Sequence, residues 1–421
     1  MASTSVVKVG GTLARRVRHL LRLAYDVPWC VPQWGWNEFR ATIAGSLSLR
    51  TTSPDVFGEA ASRMIGVTYV IPVGLGRMAI ELGLRAIGVS PGDDVVVPSY
   101  VCASVLQAVQ HVGAQPVFAD VGVGLNVTLE TVVAALTPRT RCVIVPHLFG
   151  APAPIGAIER ALRQRGIPLL DDAAQALGAT VEGRPVGSFG ECGILSCGPG
   201  KPLAGSGGGV LVTNDKALFQ RALAIARTAE RAREGRRRVW SFWVRRRYRR
   251  ITLPVQVVAT HLTGRVDWLE EPDYQLAAMP EVEARVCLTQ LRRLQETTAW
   301  RRENAATMLS AIGPLGRCNV VDFGPGTAAM KLALVLPEGG PSVEGAIEAF
   351  ADGGVECQGG YKPCHYSVEG TRGDVPYTEA VWRRVLCIPL ETRLHRPDRL
   401  ASALAGLATP ASQGTRPKRW P

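Results

Sequence analysis

Short β-branched segments alternate with segments of helical period between residues 66 and 215, and this alternation constrains the fold most strongly. The predicted strands are Thr68–Pro72, Asp94–Pro98, Gln115–Ala119, Arg141–Pro146, Pro168–Asp171, Gly193–Ser196 and Gly208–Thr213. Helical segments separate the earlier strands; one of them places Ile80, Leu84 and Ile87 on one face and ends at Gly88. The pattern predicts an α/β fold, a large and mostly parallel sheet with helices on both faces.

The sequence divides into four predicted units. The predicted units are an N-terminal helical leader (1–55), a large domain (56–275), a long helix from about Pro280 to Leu309 with a small C-terminal α/β domain (276–408), and a loose tail (409–421). The small domain has predicted strands near Lys331–Leu336 and Val385–Pro389. A basic insertion at about 228–262 interrupts the end of the large domain.

Composition excludes several classes of protein. Of the 421 residues, 46% are apolar and 20% charged, which is typical of a globular chain, and no apolar run reaches the roughly 18 residues of a membrane span. The start of the sequence lacks the pattern of a secretory signal. The ten cysteines form no C-x-x-C pair and no zinc-type spacing with histidine. We therefore expect reduced thiols, no metal and a cytoplasmic location.

The insertion holds much of the net charge of +12. Residues 231–250 read RAREGRRRVWSFWVRRRYRR. Three interpretations stay open: a solvated helix with its aromatic side chains packed inward, a membrane-surface patch that would make the protein peripheral at the membrane, and an anion-binding patch. No recognised motif supports a nucleic-acid partner, and none is expected.

The first strand leads through Gly74-Leu75-Gly76-Arg77-Met78-Ala79 directly into a helix. Glycines allow close approach of an anion, and the N–H groups at a helix N-terminus can bind it. The segment also matches a dinucleotide fingerprint, but the next strand ends Val97-Pro98-Ser99-Tyr100, without the acidic residue that holds a ribose. A phosphate site is therefore favoured, and a glycine turn that serves packing alone is the alternative.

Two other strands end in residues suited to chemistry. Asp171 and Asp172 follow an apolar strand; one of them could cap a helix, which leaves the other available. The lysines number six: Lys8, Lys201, Lys216, Lys331, Lys362 and Lys418. Lys201 lies in a glycine-rich loop at the predicted carboxyl edge of the sheet, whereas Lys216 and Lys331 are in surface-like contexts. A phosphate site, a buried carboxylate and one lysine together suggest pyridoxal 5'-phosphate (PLP).

Several stretches, in order, resemble the sugar aminotransferases of the DegT/DnrJ/EryC1/StrS family. They include residues 79–88 (AIELGLRAIG), 92–98 (GDDVVVP), 113–120 (GAQPVFAD), 147–150 (HLFG), 172–179 (DAAQALGA) and 187–190 (GSFG), with Ser196 five residues before Lys201. The resemblance runs from about residue 66 to 405, apart from the insertion. It implies the fold-type I architecture of aspartate aminotransferase, PLP as cofactor and a homodimer.

The resemblance also implies roles for individual residues. Lys201 and Asp172 match the catalytic pair, the Schiff-base lysine and the carboxylate at the pyridinium nitrogen. The positions that match cofactor-binding residues are Gly76, Arg77, Cys102, Asp172, Gln175, Ser196 and Lys201. Tyr361 and His365, in a small-domain loop, match positions that face the substrate; His365 and His147 could equally be structural. The implied reaction moves an amino group from glutamate or glutamine to a keto sugar linked to a nucleotide, in antibiotic, capsule or cell-envelope sugar biosynthesis.

Three departures from the family pattern keep other readings open. Leu75-Gly76-Arg77 replaces Ser-Gly-Thr, Cys102 replaces the aromatic residue that stacks on the cofactor, and Leu276-Ala277-Ala278-Met279 replaces Asn-Tyr-Arg-Met. One alternative is a non-catalytic regulator or scaffold that binds sugar or cofactor; another is a different PLP-dependent reaction on a non-sugar acceptor. A related dehydratase is disfavoured, because such relatives carry histidine in place of Lys201.

Overall fold

The computed structural model describes residues 34–47, 53–231, 235–247, 273–312, 319–320, 324, 326–352, 354–370 and 372–390. The described α-helices are α1 (Trp36–Leu47), α2 (Ser53–Ile65), α3 (Gly76–Ile87), α4 (Ala103–His111), α5 (Leu129–Ala135), α6 (Ile155–Arg163), α7 (Lys216–Thr228), α8 (Gly235–Arg247), α9 (Glu281–Leu291), α10 (Leu294–Ile312), α11 (Val343–Asp352) and α12 (Pro376–Val381). Short 3-10 helices span Leu148–Gly150, Cys364–Ser367 and Trp382–Arg384.

The described strands form three sheets. They are β1 (Tyr69–Val73), β2 (Asp94–Pro98), β3 (Gln115–Ala119), β4 (Thr140–Pro146), β5 (Leu169–Asp172), β6 (Thr180–Val181), β7 (Arg184–Pro185), β8 (Cys192–Ser196), β9 (Gly209–Thr213), β10 (Glu230–Arg231), β11 (Ala277–Ala278), β12 (Asn319–Val320), β13 (Lys331–Val335), β14 (Gln358–Gly359) and β15 (Val385–Pro389). Several predicted strands, such as Asp94–Pro98 and Val385–Pro389, match the observed bounds.

A large mixed sheet is the centre of the described structure, with strand order β10-β11-β1-β9-β8-β5-β4-β2-β3. Strands β3, β2, β4, β5 and β8 pair in parallel, whereas β9 runs antiparallel to both β8 and β1. The carboxyl ends of β4, β5 and β8 therefore meet at one edge, the place where ligands bind in such sheets.

Helices cover both faces of this sheet, as the sequence predicts. Along β2, Val95 and Val97 join an apolar cluster with α3, α4 and α7, while Val96 between them joins a cluster with α5 and α6. This follows from the two-residue side-chain period of a strand. Every residue of β2 is buried, as expected for a strand covered on both sides.

A separate antiparallel sheet, β12-β13-β15-β14, packs with α11 and α10 around its own apolar cluster. The predicted α/β fold with a second, smaller C-terminal unit is thus confirmed. The single long helix predicted from Pro280 to Leu309 is wrong in one respect: the chain forms two helices, α9 and α10, separated at Arg292 and Arg293. The predicted domain boundaries stay predictions, and the tail at 409–421 lies outside the described residues.

Helix α8, which forms most of the described part of the insertion, packs through its aromatic side chains against α1. The Trp243 indole N–H donates to Thr42 Oγ1 (2.9 Å), and the Trp240 indole N–H donates to Ser46 Oγ (3.1 Å). The rings of Phe242 and Trp243 also pack on Trp34. For residues 235–247 the structure therefore favours the inward-packed interpretation, and the membrane contact stays a prediction. Among the described helices, none combines the length and apolarity needed to cross a bilayer.

Candidate active site

A cavity of about 330 Å³ opens where the parallel strands end. Its walls come from the first turn of α3, the start of α4, the ends of β4, β5 and β8, the glycine loop after β8, the start of β13, and Tyr361. Residues far apart in sequence thus meet at the edge that the strand topology predicts.

The anion end of the cavity is formed by Gly76 and Ser196. A Cβ atom on Gly76 would lie 2.9 Å from Ser196 Oγ, so only glycine lets the first turn of α3 approach the end of β8 this closely. Leu75, at the N-cap of α3, makes no side-chain cap hydrogen bond. The leading N–H groups of a helix have no intrahelical acceptor, and together with the Ser196 hydroxyl they can bind a phosphate.

Asp171 has a structural role beneath the cavity. Its Oδ2 accepts hydrogen bonds from the N–H groups of Gly187 (2.6 Å) and Phe189 (3.0 Å), and its Oδ1 lies 2.8 Å from His147 Nε2. His147 Nδ1 accepts from the N–H of Ala153 (2.9 Å), which assigns the ring proton to Nε2 and directs it to Asp171. His147 lines the cavity, but both of its ring nitrogens are used in this network.

Asp172 is the carboxylate that faces the cavity. It is only 4% exposed, and its Oδ1 accepts a hydrogen bond from the N–H of Ala174 at 2.9 Å. Burial raises the pKa of this carboxyl, while the Ala174 hydrogen bond and the positive charge of Lys201 act in the opposite direction. The cationic ring nitrogen of a bound PLP would act in the same direction as Lys201, lowering the pKa of Asp172 and keeping its carboxylate ionised.

Lys201 lines the cavity from the loop that follows β8. The backbone N–H of Lys201 donates to the Gly198 carbonyl (3.2 Å). Gly200 adopts a φ of 69°, a conformation that favours glycine. The N–H of Gly208, at the end of this loop, donates to the Gly74 carbonyl (2.9 Å). The lysine loop and the turn before α3 are therefore joined by the backbone, which sets Lys201 relative to the anion end.

Gln175 and Tyr361 form a hydrogen-bonded pair at another wall. Gln175 Oε1 accepts from the N–H of Phe149 (3.1 Å), and its Nε2 donates to the Tyr361 hydroxyl (3.1 Å). The Tyr361 ring stacks on Phe149 at 6.1 Å, and the Tyr361 N–H donates to the Tyr100 hydroxyl (3.2 Å). Both residues line the cavity, where the sequence analysis expects them.

Arg77 and Cys102 line the cavity in place of the residues that the family pattern leads one to expect. The Arg77 guanidinium donates to Gln107 Oε1 and lies 5.3 Å from the centroid of the Tyr274 ring. Cys102, half-buried, occupies the N-cap position of α4. These contacts anchor the Arg77 side chain to α4 and to Tyr274, beside the first turn of α3.

His365 is placed differently from the expectation that it faces substrate. It is not among the residues that line the cavity; its Nδ1 lies 2.6 Å from Ser99 Oγ and its Nε2 lies 2.5 Å from Glu379 Oε1. It therefore ties the 3-10 helix Cys364–Ser367 to the end of β2 and to α12. Its assignment as a substrate-binding residue stays a prediction that this position does not support.

Lys331 is a cavity residue that sequence reasoning missed. It is the first residue of β13 and is only 9% exposed, so the expectation of a surface-like context is wrong. The available signal was its position at the head of the apolar strand Lys331–Val335. That signal alone does not say what the strand packs against.

Comparisons with known proteins agree with this architecture. The model of the DegT/DnrJ/EryC1/StrS aminotransferase family matches residues 37–403. A UDP-N-acetyl-3-dehydro-alpha-D-glucosamine 3-aminotransferase of Acidithiobacillus ferrooxidans is 41% identical over 155 residues, which span 36% of this chain and 42% of that protein. An L-glutamine:2-deoxy-scyllo-inosose aminotransferase of Streptomyces fradiae is 30% identical over 329 residues, 76% of this chain and 72% of that protein.

Among solved structures, the aminotransferase TlmJ from Streptoalloteichus hindustanus superposes with a TM-score of 0.72 at 27% identity, covering 90% of this chain and 96% of that one. The family match covers most of the sequence, including the whole described cavity. The family resemblance drawn from the motifs is thereby confirmed: this chain belongs to the DegT/DnrJ/EryC1/StrS aminotransferase family.

Proposed function

We propose that the chain is a PLP-dependent aminotransferase that moves an amino group from glutamate or glutamine to a keto sugar. The observation that carries this proposal is that Lys201, Asp172 and the Gly76–Ser196 anion site line one cavity. These are the three groups that the chemistry of PLP requires: an amine, a buried carboxylate and a phosphate site.

The residues present fit this cofactor. Position 76 carries no side chain, which leaves the anion site open; a Cβ there would crowd Ser196 Oγ at 2.9 Å. Gly76, Ser196 and the N-terminus of α3 would hold the phosphate, Asp172 would pair with the ring nitrogen, and Gln175 would lie near the phenolic oxygen, as the family resemblance implies. When bound, the cofactor supplies an electron sink for the carbon that loses its proton.

The chain's own groups then perform the proton chemistry. Lys201 Nζ would take the proton from the α-carbon of the donor as general base and, as general acid, would deliver it to the cofactor carbon. Asp172, which burial shields from water, keeps the ring nitrogen protonated, since its charge interacts strongly in a desolvated site. The Tyr361 hydroxyl, held by Gln175, offers a polar contact to the substrate.

The proposed substrates rest on the relatives. The Acidithiobacillus protein is named for a UDP-linked dehydro sugar, and the Streptomyces protein for L-glutamine and an inosose. A nucleotide-linked keto sugar is thus the acceptor we propose here, and a homodimer the assembly that the family resemblance implies. The non-catalytic regulator stays the alternative, and the joint presence of Lys201 and Asp172 in the cavity weighs against it.

Trapping of the cofactor tests the proposal. The purified chain is incubated with PLP and reduced with borohydride, and its peptides are examined by mass spectrometry. We expect the pyridoxyl label on Lys201, and no label at that site in Lys201→Ala. Lys216→Ala, which removes an exposed lysine of α7, is the matched control and should label normally. A chain that binds no PLP, or carries the label only on other lysines, would overturn the enzyme assignment.

A further inference from the structure

Helix α1 has an inverted distribution of polar and apolar side chains. Its buried residues are Glu38, Thr42 and Gly45. The Glu38 carboxylate accepts from Gln290 Nε2 (2.7 Å). A Cβ atom on Gly45 would lie 2.6 Å from the Cα atom of Val282, so the backbones of α1 and α9 approach closely. An ordinary surface helix buries its apolar side chains and exposes its charged ones, whereas α1 buries its acid.

The outward face of α1 is largely apolar. Trp36 is 69% exposed, Leu47 is 77% exposed, and Ile43 between them is exposed as well. Together with the exposed Arg40 they follow one another at intervals of four, three and four positions, so they lie on one side of the helix. Single exposed apolar residues are normal on a protein surface, but a row of them that begins with tryptophan is typical of an interaction site.

Helix α8 lies beside α1 and adds positive charge to this surface. The Trp240 indole N–H donates to Ser46 Oγ (3.1 Å), so this ring reaches the carboxyl end of α1. Arg236, Arg237 and Val244 are exposed, and each lies three or four positions from that indole along the same side of α8. Seven exposed residues define the outer face of the two helices: Trp36, Arg40, Ile43, Leu47, Arg236, Arg237 and Val244.

Charge favours an anionic lipid surface as the occupant of this face. The sequences of α1 and α8 contain a single acid, the buried Glu38, and five more arginines follow Val244 between positions 245 and 250. An isologous contact with a second copy would set this basic face against itself, and juxtaposed like charges oppose such an interface. Anionic lipid headgroups instead attract arginine, while tryptophan and leucine enter the boundary between headgroups and acyl chains.

We propose that the outer face of α1 and α8 docks on the surface of an anionic lipid bilayer. Trp36, Ile43 and Leu47 are the apolar anchors, and the exposed arginines bind the lipid phosphates. This contact differs from the one that the sequence suggests for residues 231–250, because the α8 rings that suggest it pack inward and the anchors come from α1. The docking is independent of the proposed transamination and concerns where the chain is held.

Co-sedimentation of the full chain with lipid vesicles tests the docking. We expect the wild type to bind phosphatidylcholine vesicles that contain about 30% phosphatidylglycerol, to bind pure phosphatidylcholine vesicles far less, and to dissociate as salt is added. The double variant Trp36→Ser/Leu47→Ser should bind the anionic vesicles at least about 10-fold more weakly. Arg236→Gln/Arg237→Gln should bind them roughly 10- to 30-fold more weakly, at about fivefold for each arginine.

Matched controls make the same kinds of change elsewhere on the surface. Val123→Ser removes an exposed apolar side chain that follows β3, and Lys216→Gln/Arg227→Gln removes two exposed charges of α7. Both controls should bind the anionic vesicles as the wild type does. The thermal unfolding midpoint and the mass of the assembly in solution should be the same in every variant.

Three results would overturn the proposal. The first is a wild type that does not bind anionic vesicles, or double variants that both bind them as well as the wild type does. The second is a changed assembly mass in Trp36→Ser/Leu47→Ser, which would assign the outer face to a contact between copies of the chain. The third is binding of a polyglutamate peptide and not of vesicles, which would assign this face to an acidic protein.

Discussion

Arg238 Nη2 and Nε lie 2.5 Å from Oε2 and Oε1 of Glu283, so the insertion helix α8 is joined to α9 by a two-pronged charged pair. Glu283 is fully buried, and its Oε1 also accepts from the Ser206 hydroxyl at 3.1 Å. Arg238 Nη2 in addition donates to the Gly74 carbonyl at 3.2 Å. One arginine of the insertion therefore contacts both the turn before α3 and, through Glu283, the glycine loop after Lys201.

Removal of the Arg238 side chain should destabilise the protein and weaken its binding of PLP. Burial raises the pKa of Glu283, and Arg238 opposes this effect; without the guanidinium the carboxylate is left without its charged partner. We expect Arg238→Ala to lower the free energy of unfolding by about 3–5 kcal/mol. Arg237→Ala, which removes the exposed neighbour, should change it by less than about 0.5 kcal/mol. Denaturant unfolding and PLP titration measure both effects.

The double variant Arg238→Ala/Glu283→Gln distinguishes the loss of the charged pair from a general loss of packing. Because glutamine carries no buried charge, it should recover a large part of the lost stability. A double variant as unstable as the sum of the two single changes would contradict the charged-pair interpretation.

Substitutions of the adjacent aspartates should affect different properties, the stability for Asp171 and the reaction rate for Asp172. Asp171→Ala removes an acceptor of two backbone N–H groups and the partner of His147, and we expect a loss of about 3 kcal/mol or more in the free energy of unfolding. Asp172→Asn removes a carboxylate whose pKa burial raises, so the stability should stay within about 1 kcal/mol of wild type. The donor half-reaction should nevertheless slow roughly 100-fold or more. Equal destabilisation by both changes would contradict this division.

A site residue could be predicted from the sequence when the contacts that position it are local, and could not when those contacts join residues far apart in the chain. Lys201 and Asp172 follow strands that local pattern identifies, and the topology of the sheet brings strand ends together, so both were predictable. Lys331 was not, since its burial depends on contacts between Phe149 and Met330, about 180 positions apart, in strained backbone. The contacts of His365 were unpredictable for the same reason, since its ring is held by Ser99, 266 positions away, and by Glu379; its contact with substrate stays a prediction.

A methyl group at position 76 should weaken the binding of PLP phosphate. In Gly76→Ala the new Cβ would meet Ser196 Oγ at 2.9 Å, and the first turn of α3 would have to move away from β8. We expect PLP affinity to fall about 10-fold or more, the loss of one charge-assisted hydrogen bond. Gly124→Ala is the matched control, because a Cβ there meets no atom within 4 Å. If both variants bind PLP equally well, the anion site lies elsewhere.

The ion pair between Asp94 and Arg372 should make stability depend on pH in the acid range. Hydrogen bonds and charge from Arg372 lower the pKa of the buried Asp94 carboxyl to about 2, below its ordinary value near 4. A carboxyl whose pKa is lowered by folding stabilises the fold fully above the unfolded-state pKa, and this stabilisation is lost as the pH falls toward about 2. Since Arg372 is partly exposed, we expect Arg372→Gln to cost about 1–2 kcal/mol at pH 7.

The difference between wild type and Arg372→Gln should shrink steadily between about pH 4 and pH 2.5, where Asp94 takes up a proton in the unfolded state before it does so in the folded wild type. Arg40→Gln, a change at an exposed arginine of α1, should show no such convergence. Urea unfolding at several pH values gives both curves. Because Arg372 also follows the segment that contains Tyr361, a stability gap that stays constant down to pH 2.5 would mean that the variant perturbs the packing of this segment and not the ionisation of Asp94.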